Sequence, residues 1–235
     1  FIGANYWYGG LLALQQDPEK GKERLKKELD FLKKHGVTNL RVLVGAEGEG
    51  DINGKIRATP ALQPRKGEYN GEILESLDFL LFEMGKRNMQ AVLYLSNNWE
   101  WSGGFLQYLN WNNSLSDEKM RSEMSWDDLR DETSKFYSCQ PCLQDYENQL
   151  KHVLNHTNKN TQRTYINEPA IMSWQLANEP RPMRPSAILA YKKWISETSK
   201  LIKSLDKNHL VTIGTEGEMG TESLDIFKEI HSMKE

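Results

Sequence analysis

Ser173-Trp174-Gln175-Leu176-Ala177-Asn178-Glu179-Pro180-Arg181 sets a carboxamide and a carboxylate side by side where an apolar run stops. Residues 171–177 have the composition of a short buried parallel strand. Pro180 has no N–H for a ladder and forbids continuation through a central sheet position. Glu179 therefore stands at a carboxyl-end rim. Neighbouring residues of a regular strand point to opposite faces, so Asn178 and Glu179 reach one cleft only where the strand bends or bulges. Such a pair suits chemistry in which a carboxylic acid gives up a proton while an amide holds a substrate hydroxyl. A solvated surface turn would carry the same spacing, so the rest of the chain has to decide.

Working outward from this strand, strand and helix patterns alternate. Residues 1–7 read as a first strand ending in Tyr6-Trp7-Tyr8. Asp17 is an N-cap with Pro18 at the first helical position, and Leu25, Leu29 and Leu32 repeat at helical spacing until Gly36. Residues 38–44 form the second strand and carry Arg41 inside an apolar segment, where a charge needs a partner. A Gly-rich acidic loop over 45–71 precedes a helix marked by Ile73, Leu77, Leu80, Leu81 and Met84. The third strand, 90–96, ends at Asn97-Asn98-Trp99-Glu100-Trp101. A long segment then runs to about 143, too long for an ordinary loop and so functional or partly helical. It holds Trp99, Trp101, Trp111 and Trp126, four of the seven tryptophans. Tyr146, Leu150, Val153 and Leu154 mark the third helix, and the opening stretch supplies the fourth strand. A helix through Ile188, Tyr191, Ile195, Ile202 and Leu205 follows, then a strand over 210–214, and Leu224, Phe227 and His231 begin a fifth helix.

Five alternations predict an α/β fold with a parallel sheet and helices outside it. The expected architecture is a TIM (β/α)8 barrel of which about the first five βα units are present, as one domain over 1–235; a doubly wound open sheet is the competing arrangement. In a barrel the loops after the strands line one mouth. There Trp7, the 97–101 cluster, Asn178 with Glu179, and the pair Glu216 and Glu218 would converge.

Composition narrows the partners. A net charge of -3 gives no electrostatic reason for nucleic acid or an anionic membrane, and no apolar run is long enough for a membrane span. The first residues lack the features of a signal peptide, so any export signal is expected to have been removed. Gly45-Ala46-Glu47-Gly48-Glu49-Gly50 matches no phosphate-binding spacing, and its two glutamates would repel phosphate. Cys139 and Cys142 with His152 and His156 mimic a zinc pattern, but the gap between the pairs is short. A local disulfide or two free thiols explain the cysteines better, and no metal is expected. Asn112-Asn113-Ser114 and Asn155-His156-Thr157 fit the glycosylation sequon.

Taken in order, these motifs resemble glycoside hydrolase family 5, and within it the endo-β-1,4-mannanases. The resemblance is carried by Gly3-Ala4-Asn5-Tyr6-Trp7-Tyr8, by Asn39-Leu40-Arg41 on the second strand, and by Asn97-Asn98-Trp99 after the third. It continues in Trp174 to Arg181 at the end of the fourth and Glu216-Gly217 after the fifth. It implies that Glu179 is the general acid/base and that Asn178 holds the 2-hydroxyl of the sugar in the -1 subsite. It also implies that Arg41 braces the nucleophile, although an ion pair with a structural carboxylate would equally explain Arg41. Trp99 and Trp7 resemble sugar-stacking platforms, with core packing as their alternative. Arg181 matches a position that contacts the sugar on the leaving-group side.

The implied reaction is retaining hydrolysis of internal β-1,4-mannosidic bonds, without cofactor or metal, by a secreted or periplasmic monomer acting on mannan or glucomannan. A β-glucanase of the same family and a catalytically silent carbohydrate-binding barrel are the alternatives. The family's nucleophile, a glutamate closing a seventh strand, is not in this sequence, nor are the elements of the sixth and eighth. The chain closing at Met233-Lys234-Glu235 therefore reads as a piece of a longer protein.

Overall fold

Residues 2–233 are described by a computed structural model. In chain order its elements begin with β1 (Ile2–Asn5), α1 (Pro18–Lys34), β2 (Val37–Leu43), the short ribbon β3 (Asp51–Ile52) and β4 (Lys55–Ile56), and α2 (Gly71–Lys86). Then come β5 (Gln90–Tyr94), α3 (Gly104–Trp111), α4 (Asp117–Arg121), α5 (Trp126–Ser134), α6 (Gln140–Leu154), β6 (Ile171–Gln175), α7 (Ile188–Leu205), β7 (Leu210–Thr212) and α8 (Leu224–His231).

The main sheet has the order β1-β2-β5-β6-β7, every pair parallel. Its strands follow one another in chain order with no reversal. A doubly wound sheet reverses at a switch point, whereas a barrel does not, so the topology favours the barrel. Leu25 and Leu29 of α1 and Leu77, Leu80 and Leu81 of α2 are wholly buried in one core with Leu40 and Val42 of β2 and Leu93 of β5.

Local signals explain most element ends. Asp17 accepts from Lys20 N at 3.2 Å with Pro18 inside the first turn of α1, and Asn70 accepts from Glu72 N at 3.0 Å to start α2. The segment expected to be partly helical contains α3, α4 and α5, the last two capped by Ser116 and Ser125. α6 starts at Gln140, earlier than its apolar stripe suggested, because Pro141 occupies its first turn. β1 closes at Asn5, before the expected Trp7, since the chain turns into a 3-10 segment over Gly9–Leu14; Phe1 lies outside the described residues. Lys234 and Glu235 lie outside them too.

Cys139 and Cys142 form a disulfide. His152 stacks on Tyr69 with ring centroids 3.8 Å apart, and His156 Nε2 lies 3.0 Å from Asp78 Oδ1, so the zinc-like quartet is not assembled.

Candidate active site

At the carboxyl end of β6 the backbone changes partners residue by residue. Leu176 N bonds to Thr212 O at 2.9 Å, Asn178 N to Ser96 O at 2.8 Å, and Glu179 N to Gly214 O at 3.0 Å. Glu179 has φ +51, the left-handed region that a non-glycine residue enters at a cost of order 1 kcal/mol, which surrounding structure must over-determine. This is the bend that lets consecutive side chains serve one cleft.

The side chains form one connected group. Asn178 Oδ1 accepts from Arg41 Nη2 at 2.7 Å, and its Nδ2 donates to Asn97 Oδ1 at 3.0 Å. The same Asn97 oxygen accepts from Trp99 N at 3.0 Å, and the Trp99 indole Nε1 donates to Glu179 Oε2 at 2.5 Å. Arg41 Nε donates to Gln175 Oε1 at 3.0 Å, and its guanidinium lies 4.3 Å from the centre of the Tyr94 ring. Burial lowers the Arg41 pKa, opposed by the nearby Tyr94 and Glu179, but a guanidinium remains charged. Among the described residues no carboxylate forms an ion pair with Arg41. The amide oxygens of Gln175 and Asn178 accept from it instead.

Arg181 lies with its guanidinium 5.1 Å from the Trp99 ring centre and is ion-paired with Glu216. Trp126, expected within a loop, opens α5 and stacks on Trp99 at 6.0 Å. The fold thus gathers Arg41, Trp99, Asn178, Glu179 and Arg181. Trp7 stands apart, 37% exposed and edge-on to Trp101 at 5.2 Å, in a shallow groove with Ile56 and Ala58. Asn97 stood in the cluster expected at the barrel mouth, whereas Gln175 and Tyr94 were not singled out from sequence; a glutamine closing an otherwise apolar strand was the available signal.

Glu47 has a place in the fold that its sequence context did not show. Read as a loop acid that would repel phosphate, it is wholly buried, and burial raises its pKa to about 7 against the pull of four donors. They are Ser96 Oγ at 2.8 Å, Gln149 Nε2 at 2.9 Å, Gly104 N at 3.0 Å and Tyr108 OH at 3.3 Å. Two glycines let the backbones of this region approach closely. A Cβ on Gly103 (φ +90) would stand 2.0 Å from Glu47 O, and one on Gly104 (φ +56) 2.1 Å from Asn97 O.

A family model described as GH family 5 beta-mannosidase-like matches residues 1–235. The chain belongs to glycoside hydrolase family 5. Relatives include Mannan endo-1,4-beta-mannosidase 7 of Arabidopsis thaliana, 33% identical over 219 residues, which are 93% of this chain and 45% of that protein. Mannan endo-1,4-beta-mannosidase 1 of Oryza sativa subsp. japonica is 30% identical over 218 residues, again 93% of this chain and 45% of that protein. The chain thus spans less than half the length of these relatives. The crystal structure of Glycoside Hydrolase Family 5 Mannosidase from Rhizomucor miehei matches with a TM-score of 0.79 and 31% identity, covering 91% of this chain and 51% of that one. The endo-beta-1,4-mannanase from Thermotoga petrophila matches with a TM-score of 0.69 and 26% identity, covering 92% of this chain and 43% of that one. Family 5 membership identifies the five-stranded sheet as consecutive units of a (β/α)8 barrel.

Proposed function

We propose that the protein hydrolyses internal β-1,4-mannosidic bonds of mannan and glucomannan with retention of configuration, and that this chain supplies its acid/base, Glu179. The observation that carries this reading is the Trp99 indole N–H on Glu179 at 2.5 Å, at the carboxyl end of the fourth barrel strand. It occurs in a chain whose curated relatives bear the name mannan endo-1,4-beta-mannosidase.

In the first step Glu179 protonates the leaving oxygen while a second carboxylate attacks the anomeric carbon; in the second it takes a proton from the water that releases the sugar. In retaining enzymes the two carboxyls stand about 5 to 5.5 Å apart. The family resemblance assigns the nucleophile to a seventh strand, outside the five described. Arg41 suits its bracing role, because Nη1 makes no hydrogen bond among the described residues and can meet an incoming carboxylate. Among the described residues Asn178 Nδ2 donates only to Asn97, which leaves its second amide proton for a sugar 2-hydroxyl. Trp99, Arg181 and, further out, Trp7 offer aromatic and cationic surface to flanking sugars. No step requires a cofactor. The Cys139–Cys142 disulfide supports an extracellular or periplasmic location, and a monomer fits this reading.

Glu179→Gln in the full-length protein tests the role. Turnover of polymer should fall about a thousand-fold or more while binding persists, because the amide keeps its shape and cannot donate a proton. Aryl mannosides with good leaving groups should lose less in the first step, and azide should partly restore turnover by replacing the activated water. Near-normal activity on polymer would refute the assignment.

A further inference from the structure

Segment 96–104 carries Asn97 and Trp99, which touch Asn178 and Glu179, and both its ends are fastened to one side chain. Glu47 Oε1 accepts from Ser96 Oγ at 2.8 Å and Oε2 accepts from Gly104 N at 3.0 Å, while Glu47 N donates to Ser102 O at 2.8 Å. Ser96 in turn accepts the Asn178 amide proton on its carbonyl at 2.8 Å, so the residue gripped by Glu47 also positions the residue before Glu179. We propose that Glu47, as a carboxylate, is a positioning residue that clamps this segment and thereby sets the Trp99 indole against Glu179. The proposal rests on the reading of Glu179 as acid/base.

The ionised form accepts from all four partners without any of them turning. All four are donors, and a carboxylate accepts where a neutral acid must also donate. Gly104 N cannot accept. Gln149 cannot turn its amide without cost, because its Oε1 accepts from Gln63 Nε2 at 2.7 Å. On protonation only the Ser96 and Tyr108 hydroxyls can reverse.

Other titratable or charged groups facing Glu47 are few. Tyr108 from α3 bonds it directly. Tyr146 from α6 gives its hydroxyl to Leu176 O at 2.8 Å instead. Buried Arg57, after β4, donates to the main-chain O of Glu47 at 2.7 Å and to Gln107 Oε1 at 2.6 Å, a nearby positive charge without a direct ion pair. Burial without that pair holds the Glu47 pKa near 7, so the clamp ionises across neutral pH.

The experiment is a pH titration of intrinsic tryptophan fluorescence in full-length Glu179→Gln, in which Glu47 can ionise but Glu179 cannot. The expected result is a step near neutral pH that disappears with Glu47→Gln, loses most of its amplitude with Trp99→Phe, and moves to higher pH with Ser96→Ala, which removes a donor to the carboxylate. This readout needs no turnover, so a failure of the glycosidase reading leaves it interpretable. In the protein with native Glu179, Glu47→Gln should lower kcat ten- to a hundred-fold with KM changed less than about three-fold, as displacement of a catalytic group does. A step unmoved by Ser96→Ala, or unaffected by Glu47→Gln, overturns the proposal, as does a wild-type kcat in Glu47→Gln. Should Glu47→Gln fail to fold, the Ser96→Ala shift decides alone.

Discussion

At the scale of single residues the site is a chain of donors ending on one carboxylate. Trp99→Phe keeps an aromatic ring and removes only the N–H aimed at Glu179. Steady-state kinetics should show kcat reduced about ten-fold with little change in KM, since hydrogen bonds to charged groups are worth roughly 1.5–3 kcal/mol; an unchanged kcat would count against the contact. Glu47 bears on stability with the opposite sign to most acids. Its pKa rises from 4.5 in the open chain to about 7 in the fold, so between those values the folded state binds more protons than the unfolded one. Its contribution is therefore full below 4.5 and lost as pH rises through about 7, about 3 kcal/mol in all. Denaturant unfolding at about pH 5 and pH 8 should show this loss in the wild type and not in Glu47→Gln; parallel behaviour of the two proteins would contradict it. The carboxylate that organises the site is thus held at some expense to stability.

At the scale of elements, what was legible in the sequence is what local chemistry decides. Asp17 before Pro18 fixed the start of α1, and Pro180 after Glu179 located a strand end that the backbone confirms with a bend. α4 was not legible because five residues give too little periodicity, and its start depends on one serine cap. Glu47 was not legible for a different reason. Its burial is produced by Gly104, Tyr108 and Gln149, between 57 and 102 residues away in the chain, and nothing in its flanking sequence reports them. The Cys139–Cys142 bridge spans the start of α6, and Tyr137 just before it donates to Arg181 O at 2.8 Å. Closing so short a loop stabilises by about 2 kcal/mol in the chain-entropy account. Reducing the protein should lower its unfolding free energy by about that amount, and equal stabilities of oxidised and reduced protein would show that the bridge contributes nothing.

At the scale of the molecule, strand order in register with chain order distinguishes a barrel from an open doubly wound sheet, a choice that alternation alone left open. Among the described residues β1 and β7 are edges. A hollow lies beside β1, away from Glu179, lined by Tyr6, Tyr8, Arg24, Glu28 and Phe31; Phe31 is 62% exposed, and Ile2 on β1 is 58% exposed. A polypeptide of these 235 residues alone should therefore bind hydrophobic dyes and unfold over a broad range, because parallel edges and apolar surface stay uncovered. A sharp two-state transition would contradict that expectation. The central claim concerns chemistry, and one measurement reaches it most directly: reducing-end release from linear mannan, glucomannan and carboxymethylcellulose by the full-length protein, with and without Glu179→Gln. The account predicts release from both mannans, on the order of a thousand-fold slower or no release from carboxymethylcellulose, and loss of all release in Glu179→Gln. Comparable rates on mannan and carboxymethylcellulose, or undiminished release by Glu179→Gln, would contradict it.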